Sequence, residues 1–345
     1  MADCWRHGSE KVVARVNLLG PGKIPIDVLE KTVLRLRGKE SKSIVTPPKA
    51  GLDFAAVKVG SKYMLVSADP ITGVTKDIGE YAINVSANDV ATSGNRPQFA
   101  ETVVLLPEGS GRRSVEVVAA QLDAAAKRLG IAIVGGHTEV TPALERPIVM
   151  VTAFCFVDDY VTSGDAREGD SIMMTKTAGL EGTAVLAGRK NLGRAVGRET
   201  VRKAGGFLSK ISVVDEAVAA YGTGFVGAMH DCTEGGVAGA VYEMSLASGV
   251  GFTLEEKAVP VAPETRSICN HLSLDPLKLI ASGSILLSVK KGKEEEVRSA
   301  LTGTRVTRVG EFVRRKRVLI RSNGDEVPLD SAPEDELWRA LRRTG

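Results

Sequence analysis

Ile131-Ala132-Ile133-Val134-Gly135-Gly136-His137-Thr138-Glu139 reads as a short apolar strand that ends in two glycines and then turns polar, with no helical pattern after it. A strand that stops this way reads as part of a site. Two further places point in the same direction. Asn88-Asp89 interrupts an otherwise apolar helical stretch, and Asp231-Cys232-Thr233-Glu234-Gly235-Gly236 stands just before another helix. Together they imply a cleft lined by carboxylates and glycines.

The chain has 345 residues, 43% hydrophobic and 25% charged, enough for two ordinary cores and therefore two domains. A net charge of +3 is too small to argue for nucleic acid as a partner. The densest basic cluster, Arg314-Arg315-Lys316-Arg317, lies between two apolar runs and reads as the charged turn of a hairpin. The cysteines at 4, 155, 232 and 269 have no CxxC spacing, and no apolar run is long enough for a membrane span. With no secretion signal in view, a reduced, soluble, cytoplasmic protein is the expectation.

The order of elements supports two α+β halves. Residues 1–20 read as an N-terminal extension. Val57–Val59 and Tyr63–Ser67 alternate like strands around Gly60-Ser61, and Ile78, Ala82, Val85 and Asp89 fall on one helical face. Thr102–Leu106 follows as a strand. Val115, Val118, Leu122, Ala125 and Leu129 then mark an amphipathic helix stopped by Gly130, and Ile148–Phe156 closes a first domain at residues 21–157. Residues 158–169 are polar and glycine-bearing, a linker. The second domain, 170–345, opens with strand Ser171–Thr175 and a helix after Gly179 and Gly182. Helices follow over Ile211–Tyr221 and Val237–Ser248, strands over Ser284–Val289 and Val306–Phe312. A last helix has a capping-box start at Ser331-Ala332-Pro333-Glu334.

Several nucleotide and metal motifs are excluded. There is no GxxxxGK[ST], no HExxH and no paired CxxC. The one GxGxxG, Gly222 to Gly227, follows a helix and leads into a strand, the reverse of the dinucleotide fingerprint, and reads as a turn. The carboxylates suggest a different architecture. Asp53 and Asp69 stand at strand ends, and Asp89 lies on an apolar helix face, where an ionised carboxylate is costly unless something positive meets it. Scattered aspartates suit magnesium with a nucleotide better than a structural calcium cage.

The residues quoted so far also carry a resemblance. Gly51-x-Asp53-x-Ala55-Ala56, Ser67-Ala68-Asp69-Pro70, Asp77-Ile78-Gly79, Asn88-Asp89-Val90-Ala91 with Gly94 and Pro97, the Gly135–Thr138 segment, and Asp231-x-Thr233-x-Gly235-Gly236 occur in the order found in the aminoimidazole ribonucleotide (AIR) synthetase superfamily. Within that group, His230-Asp231-Cys232-Thr233-Glu234-Gly235-Gly236-Val237 resembles most closely the hydrogenase expression/formation (HypE) branch. The resemblance implies a two-domain fold. An N-terminal mixed sheet would pair across a homodimer as a shared barrel, a C-terminal α/β sandwich would follow, and ATP would bind between the halves. It also implies activation of an amide-type oxygen by the γ-phosphate, and hydrogenase-maturation proteins as partners. Carried over residue by residue, Asp53, Asp69 and Asp89 would hold magnesium and phosphates with Asn88 beside them. Gly135, Gly136, Thr138, Asp231, Thr233, Gly235 and Gly236 would line the cofactor cleft, and Asp89, His137 and Glu139 would be the catalytic set.

Two departures temper the carry-over. The sequence ends Arg342-Arg343-Thr344-Gly345, with its last cysteine at Cys269, so the tail thiol used by the HypE branch is not expected here. The Gly135–Glu139 segment is closer to selenophosphate synthetase, whose reactive N-terminal residue has no counterpart in the setting of Cys4. His137 then reads either as a cleft ligand or as a hydrogen-bonded turn histidine, and Glu139 as a general base or a charge partner for Lys76 or Arg146. Cys232 reads as a small buried residue. The alternatives are a small-molecule kinase or synthetase, with Lys176 and the Gly179–Gly182 turn binding a metabolite, and a nucleotide-binding partner protein without turnover.

Overall fold

The computed structural model describes residues 19–342, so Cys4 and most of the expected extension lie outside the described residues. The first half contains α1 (Ile26–Lys31), β1 (Ile44–Thr46), β2 (Ala55–Val59), β3 (Lys62–Ile71), α2 (Ile78–Ala91), β4 (Phe99–Pro107), α3 (Arg112–Leu129), β5 (Ala132–Thr141) and β6 (Ile148–Val157). Its six strands form one mixed sheet in the order β1-β2-β3-β6-β4-β5, antiparallel except for β4 and β5. Alternate residues of β6 are buried, which is the period-two signature of a sheet covered on one face. The covering layer is α2 and α3, joined to the sheet through Val149, Val151, Val104 and Leu106. The other face carries the half-buried rings of Phe99, Phe154 and Phe156.

The second half contains β7 (Ser171–Thr175), α4 (Leu180–Ala187), α5 (Leu192–Val196), α6 (Arg198–Gly205), α7 (Val214–Gly222), β8 (Val226–Asp231), α8 (Gly236–Ser248), β9 (Gly251–Glu255), α9 (Pro263–Leu272), β10 (Ile285–Val289), α10 (Glu294–Ala300), β11 (Val306–Val313), β12 (Arg317–Ile320), β13 (Glu326–Pro328) and α11 (Glu336–Arg342). The strands form a seven-stranded mixed sheet, β13-β12-β9-β11-β7-β10-β8. The two faces of β7 diverge. Ile172 and Met174 pack with Val237, Val241 and Met244 of α8, while Met173 joins Val214, Ala217 and Val297 of α7 and α10. That second cluster runs on into Ile78, Ala82, Ile83 and Ala87 of α2, so one continuous apolar core joins the two sheets.

This position explains α2. It is buried along nearly its whole length, because one side meets the first sheet and the other meets the second half. Gly79 is needed where α2 crosses α3: a Cβ there would stand 2.9 Å from the Val118 carbonyl oxygen. A helix enclosed on all sides brings any polar residue it carries into the interior, and this is how Asp89 reaches a buried place.

Three local expectations are corrected. Arg314–Arg317 does not close a hairpin, since β11 and β12 each pair with β9 instead of with one another. The last helix begins at Glu336, not at Ser331, and Asp335 caps it by accepting from the Leu337 N–H at 2.7 Å. The third concerns the segment on which the sequence reading opened. Gly135–Glu139 is not a turn after a strand but the middle of β5, which runs on to Thr141. The glycines serve a bulge. Register shifts between Ala100 and Glu101 of β4, and a Cβ on Gly136 would lie 2.0 Å from the Thr102 carbonyl oxygen.

Candidate functional site

A cavity of about 1160 Å³ opens between the halves, and its walls collect carboxylates from elements far apart in the chain. Asp53 comes from the approach to β2, where Gly51 lies against α8 so closely that a Cβ would meet the Glu243 carbonyl oxygen at 2.3 Å. Asp69 lies on β3 and Asp89 on α2, and Ser67 bridges them, donating to Asp89 Oδ2 at 2.6 Å and to Asp69 Oδ2 at 3.4 Å. Asp231 ends β8. Glu243 projects from α8, a charged residue in a helix that is otherwise apolar and small.

His230 is the centre of this arrangement. It is 3% exposed, its Nε2 lies 2.9 Å from Glu243 Oε2, and its Nδ1 faces Asp53 Oδ1. Burial works against an imidazolium, but the Asp53 and Glu243 carboxylates more than offset it and hold the pKa at about 10. Glu243 responds in the opposite sense. Burial would raise its pKa, yet Lys23 and His230 pull it down to about 2. Lys23 arrives from the segment before α1: its backbone N–H donates to Glu234 Oε2 at 2.7 Å, and its ammonium reaches Thr233 Oγ1 at 3.1 Å and Glu243 at 3.3 Å.

Two cations do not neutralise the cluster. Burial, then repulsion from Asp69 and Asp231, raises Asp89 well above the carboxylate range, and burial with Asp53 lifts Asp231 to about 8. Asp53 Oδ2 and both Asp231 oxygens are buried without a hydrogen-bond partner among the described residues. Ligand atoms of Asp53, His230 and Asp231 lie within 4.8 Å of one another, with the imidazole already held between two carboxylates. Buried carboxylate oxygens with no protein donor are what a hard divalent cation coordinates, so the set fits magnesium.

Residues 51–157 match the AIR synthase related protein N-terminal domain, and residues 167–322 the C-terminal domain. The chain belongs to the AIR synthase-related family. Among curated relatives, this AIR synthase-related protein is 30% identical to a putative hydrogenase expression/formation protein of Methanocaldococcus jannaschii, over 70% of this chain and 72% of that one. It is also 30% identical to the carbamoyl dehydratase HypE of Escherichia coli, over 72% and 74% of the two chains. The crystal structure of E. coli HypE superposes with a TM-score of 0.69 at 26% identity, covering 80% of this chain and 88% of that one. Both the family and the HypE-like character expected from the motifs are therefore found, and so is the two-domain α+β fold.

The structure sorts the site residues expected from sequence. Asp53, Asp69, Asp89, Asp231, Thr233 and Gly235 line the cavity together. Gly236 stands directly behind it, where a Cβ would strike the Leu277 and Leu279 carbonyl oxygens at 2.6 and 2.7 Å. Asn88 is corrected: its amide donates to the Ile211 carbonyl at 2.8 Å and accepts from the Val213 N–H at 2.9 Å, so both ends are committed to tying α2 to the second half. Gly135, Gly136, His137, Thr138 and Glu139 stand apart from this cavity. They lie on the exposed edge strand and do not line the cavity of this chain. His137 Nε2 and Glu139 Oε2 pair with each other at 3.0 Å, as residues two apart on one strand face can, and Glu139 meets neither Lys76, which pairs with Asp77, nor Arg146.

Lys176, Gly179 and Gly182 stand outside this cavity, Lys176 lining a separate one with Thr177 and Leu180. The Lys176 ammonium is held by Glu216 at 2.8 Å and by the Ser212 carbonyl at 2.5 Å, and Gly182 makes room for Leu279. Cys232 is fully buried, as expected. The sequence reading quoted His230 and Ser67 only as members of motifs, with no role, and passed over Glu243 and Lys23. Glu243 had a signal available, a single acid inside the apolar run of α8. Lys23 had none, because its partners are more than 200 residues away.

Proposed function

We propose that this protein is a Mg-ATP-dependent enzyme of the HypE type, acting in hydrogenase maturation by activating an amide-type oxygen. The observation that carries the reading is the convergence of Asp53, Asp69, Asp89 and Asp231 on one cavity, with buried carboxylate oxygens that no donor among the described residues satisfies. Asp53, Asp231, Asp89 and Asp69 would hold magnesium. The ion would neutralise charge on the transferring phosphate. His230, clamped between Asp53 and Glu243, fixes the orientation of Asp53, and Ser67 does the same for Asp89 and Asp69. Thr233, Gly235 and the N-terminus of the thirteen-residue α8 border the same cavity, where backbone dipoles favour phosphate oxygens. The names of the M. jannaschii and E. coli relatives supply the maturation context.

The same reading includes a homodimer in the cytoplasm, with other maturation proteins as partners. Support for the dimer comes from the first sheet. Its edge strand β5 exposes Ile133, Val134 and Val140, and its uncovered face carries Phe99, Phe154 and Phe156. An unpaired edge beside an aromatic face suits pairing with a second copy. Among the described residues, no helix is long and apolar enough to cross a membrane.

Calorimetric titration of ATP with and without magnesium tests the cleft. Wild type should bind only with magnesium, and Asp89→Ala or Asp53→Ala should reduce affinity at least tenfold with phosphate release lost. Equal binding by wild type and both variants would overturn the assignment.

A further inference from the structure

A second cavity, of about 590 Å³, opens in the second half of the chain and has no lining residue in common with the acid cleft. Where the cleft gathers acids, this cavity gathers cations. Lys203 comes from the last turn of α6, Lys210 from the turn that follows it, and Arg305 from the approach to β11, while Glu264 is the one acid on the wall among the described residues. Neighbouring charges do not cancel the surplus. Among the described residues no carboxylate pairs with Lys210 or Arg305, and Lys203 meets Glu199 only at 3.8 Å, where Arg202 already holds both oxygens at 2.8 and 2.6 Å. Lys176 also lines the wall, but Glu216 takes its ammonium at 2.8 Å. Burial and, among the charges, Lys210 keep Lys176 below the usual lysine pKa although Glu216 opposes them. Three cations against Glu264 leave two positive charges uncompensated.

The backbone and the apolar wall add to the charge. The ten-residue α9 begins on this cavity, and its cap, Ala262, has no side chain to satisfy the N–H groups of the first turn. An uncapped helix N-terminus beside lysine and arginine side chains favours an anion. Phe207 and Leu180 supply an apolar floor, and the Lys210 ammonium stands 5.3 Å from the centre of the Phe207 ring instead of pairing with an acid. The surplus of two charges matches a phosphate monoester dianion better than a carboxylate. The volume falls within the roughly 300–1,000 Å³ of an ordinary small-molecule pocket and leaves room for an organic group on the floor.

We infer that this cavity is a second ligand site, taking a small organic phosphate monoester with its phosphate between Lys203, Lys210 and Arg305 and its organic part on Phe207 and Leu180. The site is independent of the Mg-ATP reading of the cleft.

The test is calorimetric titration of the full chain with phenyl phosphate at pH 8, where the monoester is a dianion, and in EDTA, where the acid cleft has no metal to attract phosphate. Phenyl phosphate should bind saturably at one site per chain, about tenfold or more tighter than benzoate or inorganic phosphate. Lys203→Gln and Arg305→Gln should each weaken it about fivefold or more. Both residues are exposed, so the melting temperature should stay at the wild-type value, which separates loss of ligand from loss of fold. Lys127→Gln, which removes an exposed charge from α3, should bind as wild type does. Absence of saturable binding, or undiminished binding in Lys203→Gln and Arg305→Gln, would overturn the site. Equal affinity for benzoate or inorganic phosphate would overturn the ligand class, and an equal loss in Lys127→Gln would reduce the effect to unspecific attraction of anions and overturn the site as well.

Discussion

Asp231 shows how a single residue can be costly for the fold and useful to the site. Both its oxygens are buried and without a hydrogen-bond partner among the described residues, and burial with the neighbouring Asp53 keeps its pKa at about 8. Asp231→Asn removes that repulsion without changing size, so the metal-free protein should gain about 1 kcal/mol or more, read as a higher denaturation midpoint in EDTA, while magnesium-dependent nucleotide binding is lost. The same groups set a pH dependence. Asp231, at about 8, and Glu181 and Asp335, at about 7, bind protons more tightly folded than unfolded, so their stabilisation is complete below pH 4 and disappears as pH rises to 8. His230, raised to about 10, loses its contribution between pH 6.5 and 10. Glu243, lowered to about 2, loses its contribution as pH falls from 4.5 to 2. The contribution of these groups to the stability of the metal-free protein is therefore largest near pH 4 to 5. Thermal melts across pH in EDTA should show it: Asp231→Asn should flatten the fall toward pH 8, and an unchanged fall would contradict the charge assignment.

Among the elements, β5 and α8 show what a pattern can and cannot tell. The glycine pair in β5 was legible as special, but its reason lies in β4: the bulge brings Gly136 onto the Thr102 carbonyl, a contact no local reading contains. Gly136→Ala would place a Cβ 2.0 Å from that oxygen. It should cost about 1–3 kcal/mol, measured by chemical denaturation, through displacement of the edge strand. Gly135, where a Cβ would meet nothing closer than Glu101 Oε1 at 3.8 Å, should accept alanine with little loss. In α8 the Gly235-Gly236 start and the Gly249 stop were readable from chemistry alone, since left-handed backbone favours glycine and all three adopt it. The role of Glu243 was not, because a buried acid in a helix has meaning only once His230 and Lys23 are set against it.

For the whole molecule, the two sheets share one apolar core through α2, and the cleft is the polar rim of that junction. Closing or opening it by a rigid hinge would have to break this core, so the halves should move as one body when ligand binds. The uncovered face of the first sheet makes a different demand. Light scattering at micromolar concentration should give a dimer, and a charge placed in the aromatic face, Phe154→Asp, should give monomers. A monomeric wild type would count against the shared-barrel assembly.

The sequence by itself determined the element pattern, the two-domain α+β class and the aspartates that line the cavity. Hydrophobic periodicity, helix stops and ordered motifs are local properties that survive without coordinates. Only the tertiary structure decided which marked residues work together. It withdrew Asn88 into a backbone clamp and His137 and Glu139 onto an exposed edge strand. It added His230, Glu243, Lys23, Glu181, Ser282 and Trp338 to the cavity. The physical reason is that charge, burial and unmet hydrogen bonds arise between side chains separated by tens to hundreds of residues, and chain spacing does not encode those distances.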